Sequence, residues 1–482
     1  MTAPNSMDSQ PTPAPAPPTQ AMTGKQRLAL TVLLTASFTL AVDFSILNVA
    51  LPTVGADVGF SLENLQWIAT AFALCAAGLT LLFGRVADLA GRRRMFIIGM
   101  ALLGAGSLLG GISIHPAPLI IARIAQGIAT AIVVPAALSL LLSAFPEGKI
   151  RERALGLNGA LMAAGFTTGA ILGGLLTDLL SWRWAFLINI PVAAAVLVLA
   201  PLVLAESRPD GRARLDVPGA VTVTLGLLAL VFGLTRAAET SWTDPATLVA
   251  LAAAVLLLAV FAAVERRAAA PLVPLAILKR STVAWGNFAG VLAFVTETSL
   301  VFLLTLYLQR VLGYTPLGTG LAFGVLGLGT VLGGVLGPKI IARVGSKRAI
   351  VAGFVVQAAA TSSLVLLGGD PAAIILLLAA TFVGGVANLV VIVGFMVTAT
   401  SGLPEEEAGL ATGLATMSQQ IGITLGIPVM SAILTAQLAA LGSTAAPAIL
   451  AGVTTAIWAN AGLCLASALA VAFFLRPAAT KA

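Results

Sequence analysis

Residues 28–52 read LALTVLLTASFTLAVDFSILNVALP, and Asp43 is the single charged residue in this run. About 20 mainly apolar residues are enough for a helix to cross the hydrocarbon core of a bilayer. Thirteen later runs meet the same condition, so the sequence predicts fourteen spanning helices. Their approximate ranges are 28–52, 63–84, 95–113, 118–144, 154–177, 184–204, 217–235, 247–264, 283–308, 318–338, 349–367, 373–398, 408–436 and 449–475.

The composition of the whole chain supports a membrane protein. Of the 482 residues, 59% are apolar and 9% are charged, whereas roughly 25% of residues are charged in soluble domains. A soluble enzyme, a secreted disulfide-rich domain and a disordered chain are therefore excluded. The low aromatic content of 6% and the lack of short alternating apolar and polar segments disfavour an outer-membrane barrel.

Basic residues predict the orientation, because Lys and Arg are enriched in cytoplasmic loops. With the N-terminus inside, 22 of the 26 basic residues fall in inner segments, and the outer loops hold only Arg183, Arg236 and Arg310. We therefore expect cytoplasmic N- and C-termini and a multi-pass protein of a bacterial cytoplasmic membrane. The net charge of +7 reflects this topology rather than nucleic-acid binding. One inner segment, LPEEEAG at 403–409, is acidic instead.

A weak internal repeat predicts two six-helix bundles. The segment GRVADLAGRRR (84–94) follows the second predicted helix, and GPKIIARVGSKR (337–348) follows the tenth. Parallel repeats of this kind are typical of transporters. The predicted order is a disordered tail, an N-terminal bundle, two inserted helices with linkers, a C-terminal bundle and a short tail. These parts occupy residues 1–26, 27–204, 205–280, 281–475 and 476–482.

Three ionisable residues, Asp43, Arg123 and Glu297, lie well inside predicted helices. A charge within lipid is costly, so each one marks a functional site by default. Asp43 and Arg123 lie at depths that allow direct or water-mediated pairing, either as a static ion pair or as a proton relay. Glu297 has no base nearby in the sequence, and a buried carboxyl of this kind favours its neutral form. It is a proton carrier, a counter-charge for a cationic substrate, or a neutral group bonded to Thr296, Thr298 or the backbone.

Polar uncharged residues inside the helices fit a large, mainly apolar substrate cavity with a few polar anchors. Hydrogen bonds between helices would explain many of them without any ligand. Gln357 and Gln419 belong to this class. With Glu297, the predicted cavity residues are Asn48, Gln66, Trp67, Asn158, Asn287, Tyr307, Asn388 and Gln420.

Glycines recur at every fourth position of the fifth predicted helix. Gly165, Gly169 and Gly173, widened by Gly174, form a smooth face that lets a neighbouring backbone approach closely. The spacing fits both a static packing face and a surface on which the two halves slide.

The loop segment GRVADLAGRRR combines turn-forming and charged residues. Gly84 and Gly91 permit a tight turn on the inner side. Asp88 and Arg92 are four residues apart and can form an ion pair. A simple orientation signal would explain the arginines but not the placed aspartate and glycines.

Together these segments resemble the major facilitator superfamily, and within it the fourteen-helix drug–proton antiporter branch. GRVADLAGRRR is similar to the family's loop motif GxxxDxxGRR, and RIAQG (123–127) to its helix 4 motif. The resemblance implies that the loop controls a cytoplasmic gate and that Arg123 takes part in proton coupling. VDFSILNVALP resembles the helix 1 motif of the branch, with matches at Asp43, Asn48, Ala50, Leu51 and Pro52.

Further segments are typical of the branch, and two positions depart from its pattern. Ala170 stands in the fifth helix where a proline is usual, and Ala342 stands in the second loop where an aspartate would match Asp88. The branch-like segments are WRWAFLINIP (182–191), LDVPG (215–219), YLQRVLGYTPLGTG (307–320) and GLATGLATMSQQIG (409–422).

The sequence thus predicts an all-α membrane protein with the major facilitator fold. The resemblance implies proton-coupled efflux of amphipathic drugs or antibiotics by alternating access, with a lipophilic small molecule, protons and the bilayer as partners. We expect a monomer with no cofactor other than protons as the coupling ion. A nutrient facilitator or symporter is the alternative, and a membrane structural or assembly protein is a remote one. The single histidine and the lack of HExxH, GxSxG or GxxxxGKS/T motifs argue against an enzyme.

Overall fold

A computed structural model describes residues 22–61, 64–145, 149–206, 216–268, 271, 277–401 and 405–476. Most of the predicted N-terminal tail, the linker 207–215 and the final residues 477–482 lie outside the described residues, as do Arg208, Arg212, Arg214 and Lys481. Within the described part, all regular secondary structure is helical.

Each of the fourteen predicted runs is helical. The sixth run is broken at Ile188 into two helices, and a π-helical turn at Tyr307–Val311 continues the ninth. The helices are α1 Gly24–Val58, α2 Trp67–Ala90, α3 Arg92–Gly111, α4 Pro116–Ala144, α5 Lys149–Leu179, α6 Trp184–Leu187, α7 Asn189–Val203, α8 Val217–Glu239, α9 Pro245–Glu265, α10 Ser281–Leu306, α11 Pro316–Val344, α12 Ser346–Ser363, α13 Ala373–Thr400, α14 Glu405–Leu441 and α15 Ala446–Phe474.

Length and apolarity support many membrane crossings. Among the described residues, twelve helical stretches are long and apolar enough to span a bilayer, with α6 and α7 counted together. The bent helix α2 makes a thirteenth if its two parts form one span. The count of fourteen and the cytoplasmic placement of the termini stay predictions.

The internal repeat has a backbone basis in two one-residue turns. Gly91 separates α2 from α3 with φ of +106°, and Gly345 separates α11 from α12 with φ of +82°. Glycine adopts this region without the steric cost that a side chain would add. Gly84, in contrast, makes no turn: it lies inside α2 and faces Pro135 of α4. We call the end of the bundle with these turns and Arg92 the basic face, and the opposite end the far face.

The helices form two halves with an inserted pair between them. Helices α1–α7 pack on one another, as do α10–α15. Helix α8 contacts α2 in the first half and α14 in the second, while α9 packs mainly on α8. The Thr224 hydroxyl of α8 donates to the Gly78 carbonyl of α2 at 2.7 Å. The inserted helix α8 therefore lies between the two halves and contacts both.

The glycine face of α5 serves two different contacts. Gly165, Gly169 and Gly173 all face the backbone of α1, within the same half. Gly174 instead contacts Pro316 and Leu317 at the start of α11, in the other half. Three of the four glycines are therefore a packing face inside one half, and only Gly174 lies between the halves.

We expect Gly169→Ala to destabilise the fold. The added methyl group would lie 2.7 Å from the Val42 carbonyl oxygen and 2.9 Å from the Ser45 Cβ atom, and overpacking of this kind costs about 1–3 kcal/mol. The matched control is Gly462→Ala in α15, where no atom lies within 4 Å. That change removes a helix-interior glycine and should stabilise by about 0.5–1 kcal/mol. Thermal unfolding in detergent micelles measures both, and equal midpoints for the two variants would contradict tight packing at Gly169.

Candidate functional site

A buried carboxylate joins four helices of the first half. Asp43 of α1 and Arg123 of α4 are 0% and 1% exposed, and the Arg123 Nη1 atom lies 3.5 Å from Asp43 Oδ2. Gln126 Nε2 donates to Asp43 Oδ1 at 2.9 Å, and Asn189 Nδ2 of α7 donates to the same oxygen. Ser107 of α3 accepts hydrogen bonds from both amides. We call these five residues the first polar junction.

Arg123 is held by more than the carboxylate. Its Nε atom donates to the Ile68 carbonyl of α2 at 2.9 Å, and its Nη1 atom donates to Gln126 Oε1 at 2.8 Å. The guanidinium carbon also lies 4.3 Å from the centre of the Phe72 ring. A buried charge persists when it is paired and hydrogen-bonded on its remaining sides. A carboxylate in this setting can take up a proton when its donors move away.

Sequence reasoning found the two charges of the junction and missed three neutral members. Gln126 follows Arg123 by three residues, which places both side chains on one helix face, so the spacing could have revealed it. Asn189 lies in the branch-like segment 182–191, and nothing in the sequence indicated a functional role for the individual side chains of that segment. Nothing in the local sequence distinguishes Ser107.

The second half contains an uncharged counterpart at corresponding helices. Gln357 Nε2 of α12 donates to the Thr296 hydroxyl of α10 at 3.1 Å, and Asn388 Nδ2 of α13 donates to Gln357 Oε1 at 3.4 Å. Asn460 Nδ2 of α15 donates to the Thr296 carbonyl and the Ser299 hydroxyl, each at 2.9 Å. We call these residues the second polar junction. Its helices α10, α12, α13 and α15 occupy the same places in their half as α1, α3, α4 and α7.

Glu297 lies beside the second junction and lines a cavity inside the second half. The cavity has a volume of about 20 Å³ and lies between α10, α11, α12 and α13. Gln357 and Asn388 line it as well. Among the described residues, no side chain forms an ion pair or hydrogen bond with Glu297. The Thr296 and Thr298 hydroxyls donate to backbone carbonyls instead.

The other predicted cavity residues do not gather around Glu297. Asn287 Oδ1 accepts from Ser418, and Tyr307 donates its hydroxyl to the Gly368 carbonyl at the far face. They lie at several places in the bundle, because position along a helix does not reveal which neighbour each face meets, and the shared substrate cavity stays a prediction. Those elsewhere are Asn48, buried in α1; Gln66 and Trp67, against α8; Asn158, beside Met162; and Gln420 in α14.

The loop motif at the basic face forms the predicted ion pair. The Nη2 atom of Arg92 lies 2.9 Å from Asp88 Oδ1. Glu206, just beyond α7, accepts the backbone N–H groups of Arg93 and Arg94 at 3.0 and 3.2 Å. An acidic group at this position satisfies the free N–H groups at the start of α3 and complements its dipole. Gly91 is packed against the same carboxylate, so the turn, the ion pair and the cap form one unit.

Many apolar helices in two repeated halves, with polar junctions buried inside each, define a multi-pass membrane transporter. The sequence pattern of the Major Facilitator Superfamily matches residues 33–427. The chain belongs to this superfamily.

Characterised relatives cover most of the chain. The cephamycin export protein CmcT of Amycolatopsis lactamdurans is 38% identical over 415 residues, or 83% of this chain and 84% of that protein. The puromycin resistance protein pur8 of Streptomyces alboniger is 35% identical over 415 residues, or 85% of this chain and 82% of that protein.

Solved structures share the fold at low identity. An auto-inhibited peptide transporter of the POT family has a TM-score of 0.70 at 16% identity, over 94% of this chain and 98% of that chain. The nucleoside transporter NupG has a TM-score of 0.62 at 12% identity, over 95% of this chain and 100% of that chain. These likenesses establish the architecture.

We expect Arg123→Met to destabilise the protein by about 3–5 kcal/mol, because Asp43 would remain buried without its cation. Adding Asp43→Asn should restore part of that loss, since an amide needs no counter-charge. Glu297→Gln is the matched control: it neutralises a carboxyl that forms no ion pair, so stability should change little. A double-mutant cycle on denaturation in micelles measures the coupling. Additive losses in the double variant would show that the pair does not stabilise the fold.

Proposed function

We propose that this protein exports amphipathic drugs or antibiotics across a bacterial cytoplasmic membrane in exchange for protons, by alternating access. The observation that carries the proposal is the buried ion pair of Asp43 and Arg123, in a chain similar over most of its length to export and resistance proteins. A dry ion pair costs desolvation energy that apolar packing would avoid. A carboxylate that binds and releases protons at the centre of a transporter half would explain why the chain tolerates this desolvation energy.

Two carboxyls are available for coupling, and they differ in access. Asp43 is fully enclosed by its donors, so proton exchange there requires that α1, α4 and α7 separate. Glu297 lines a small cavity inside the second half, and in the proposed cycle it exchanges a proton there. In the proposed cycle, outside protons reach these carboxyls when the far face is open. Proton release to the cytoplasm then leaves a carboxylate that favours a cationic substrate.

The contact between α5 and α11 supports a closed far face. Gly174 meets Pro316 and Leu317, and Gly320 lies against the Ala170 carbonyl. Gln309 near the end of α10 donates to the Val49 carbonyl of α1 at 2.8 Å. Small residues on both helices let the backbones of the two halves meet, and we call the α5–α11 contact the far seam. Opening the far seam is the proposed outward step of the cycle.

Coupling is tested with protein in liposomes that contain a pH-sensitive dye under an imposed pH gradient. Puromycin should trigger proton movement with the unmodified protein, and we expect Asp43→Asn and Glu297→Gln each to abolish it. The matched control is Asp57→Asn, because Asp57 pairs with Arg183 at the far face, outside the polar junctions. That variant should retain the signal.

Two other outcomes lead to different conclusions. Drug transport without proton movement by the unmodified protein would favour a facilitator. Retained coupling in both Asp43→Asn and Glu297→Gln would remove these carboxyls from the mechanism while leaving the transport activity intact.

The far seam is tested by a steric wedge. In Gly320→Ala, the added methyl group would lie 2.7 Å from the Ala170 carbonyl oxygen, so we expect the far face to stay open and transport to fall at least tenfold. In the control Gly324→Ala, the methyl group meets Ile171 at an ordinary 3.4 Å and should have little effect.

Spin labels at Ile114→Cys and Leu366→Cys report the opening directly. These exposed residues lie on different halves at the far face, and Cys75 and Cys464 are first replaced by alanine. The distance between the labels should lengthen in Gly320→Ala and not in Gly324→Ala. Identical distance distributions would show that the far seam is not the gate.

A further inference from the structure

The inserted helix α8 begins in an apolar cluster that belongs mainly to the second half. Its residue Ala220 is 0% exposed near the basic face, and Leu82 of α2 packs on the cluster from the first half. The other buried members are Ile277, Val283 and Leu414, which belong to the short turn before α10, to α10 and to α14. Apolar packing is not directional, so this cluster holds the basic end of α8 without any need for hydrogen bonds.

Toward the far face, α8 lies on α2 of the first half. Gln66 Nε2 donates to the Thr235 carbonyl at 3.4 Å, and the centres of the Trp67 and Phe232 rings are 6.3 Å apart. The Thr70 N–H group donates to the Gln66 carbonyl, so Thr70 lies one turn further along the same side of α2. The two ends of α8 are therefore held by different halves.

The contact at the far end of α8 leaves buried polar atoms without a hydrogen bond. Eight side-chain atoms of this kind occur in the described residues, and three of them are Gln66 Oε1, Thr70 Oγ1 and Thr235 Oγ1. These residues are 0% or 1% exposed. A threonine hydroxyl in a helix can donate to the carbonyl four residues earlier, as Thr305 and Thr398 do. Thr70 and Thr235 form no such bond, and an unpaired buried polar group destabilises the contact that buries it.

Near the middle of α8, the contact with α2 is well paired. The Thr224 hydroxyl donates to the Gly78 carbonyl at 2.7 Å, and Leu228 packs against the same glycine. Thr224 and Thr235 are about 16 Å apart along the helix axis. The same pair of helices thus fits well at one depth and poorly at the far face.

We propose that α8 and α9 move with the second half, and that the far end of α8 parts from α2 when the far face opens. The proposal rests on the proposed alternating access and assigns the inserted pair a place in it. Water that enters between the helices then hydrogen-bonds Gln66, Thr70 and Thr235. When two halves rock, they separate most at the open end, so the paired contact at Thr224 stays near the pivot. The unpaired groups therefore favour opening on this side of the protein.

Spin labels on three exposed residues at the far face show which half the inserted pair follows. Ile114 lies on the first half, Leu248 on α9 and Leu366 on the second half. Ile114→Cys, Leu248→Cys and Leu366→Cys are combined in pairs after the native cysteines are replaced by alanine. We expect Gly320→Ala to lengthen the distances from Ile114 to both other labels and to leave the distance between Leu248 and Leu366 unchanged.

The pattern of distances separates this proposal from the proposed function. A longer distance from Leu248 to Leu366, with that from Leu248 to Ile114 unchanged, would show that the inserted pair follows the first half. That result would overturn the proposal and leave the export function standing. Constant distances in all three pairs would refute both the far seam and this proposal. The expected distances without puromycin-driven proton movement would refute the coupling and leave the assignment of α8 standing.

Matched threonine variants test the unpaired groups. We expect Thr70→Val combined with Thr235→Val to raise the unfolding midpoint in micelles by about 2 °C, because two hydroxyls without partners are removed and the side-chain shape is kept. The double variant should also reduce the fraction of long distances between labels on α9 and on the first half by about threefold, since opening then hydrates fewer groups. The control Thr224→Val removes a paired hydroxyl on the same helix and should lower the midpoint. A midpoint that falls in the double variant as it does in Thr224→Val would overturn the proposal.

Discussion

A carboxylate persists inside an apolar bundle only where donors surround it, and the first half is organised around that constraint. Asp43 of α1 receives hydrogen bonds from Gln126 of α4 and Asn189 of α7, and Ser107 of α3 accepts a hydrogen bond from each of these amides. Four helices must therefore converge at fixed depth and rotation. The apolar residues of these helices could pack in several registers, since apolar contacts are not directional. The junction selects one register, and the glycine face of α5 then lets α1 pack closely.

The second half meets the same geometric need without charge. Thr296, Gln357, Asn388 and Asn460 join the corresponding four helices through amides and hydroxyls. Neutral hydrogen bonds avoid most of the desolvation cost of an ion pair. The two halves therefore share an architecture and differ in their chemistry. The first half holds an ion pair at its junction, whereas the second half holds a neutral junction beside the carboxyl of Glu297.

Sequence patterns predicted the features that depend on local order along the chain. The fourteen apolar runs are all helical in the structure. The spacing of Asp88 and Arg92 predicted their ion pair, because helix geometry fixes which residues along one helix are neighbours. Gly91 predicted a turn because glycine adopts positive φ without steric cost, whereas Gly84, for which a turn was also predicted, lies inside α2. Contacts between helices were harder to predict. Asp43 and Arg123 were matched by depth, but nothing in the sequence showed that Asn189 would join them, or that Tyr307 would lie far from Glu297. Those outcomes depend on helix rotation, which many weak apolar contacts determine together.

The two halves contribute differently to a coupled cycle. If both halves carried an ion pair that protonation breaks, each half could respond to protons independently. A further interaction would then be needed to coordinate the two responses. In the proposed cycle a single enclosed pair avoids this, because Asp43 is fully buried among its donors and would exchange a proton only when the helices of the first half separate. Glu297 then has a different role. It lines a small cavity inside the second half and forms no ion pair among the described residues, so in the proposed cycle it holds a substrate cation or a proton but not both. A proton and a substrate cation would compete for the Glu297 carboxyl. If this competition occurs only when helix motion exposes Asp43, it would be enough to exchange substrate for protons.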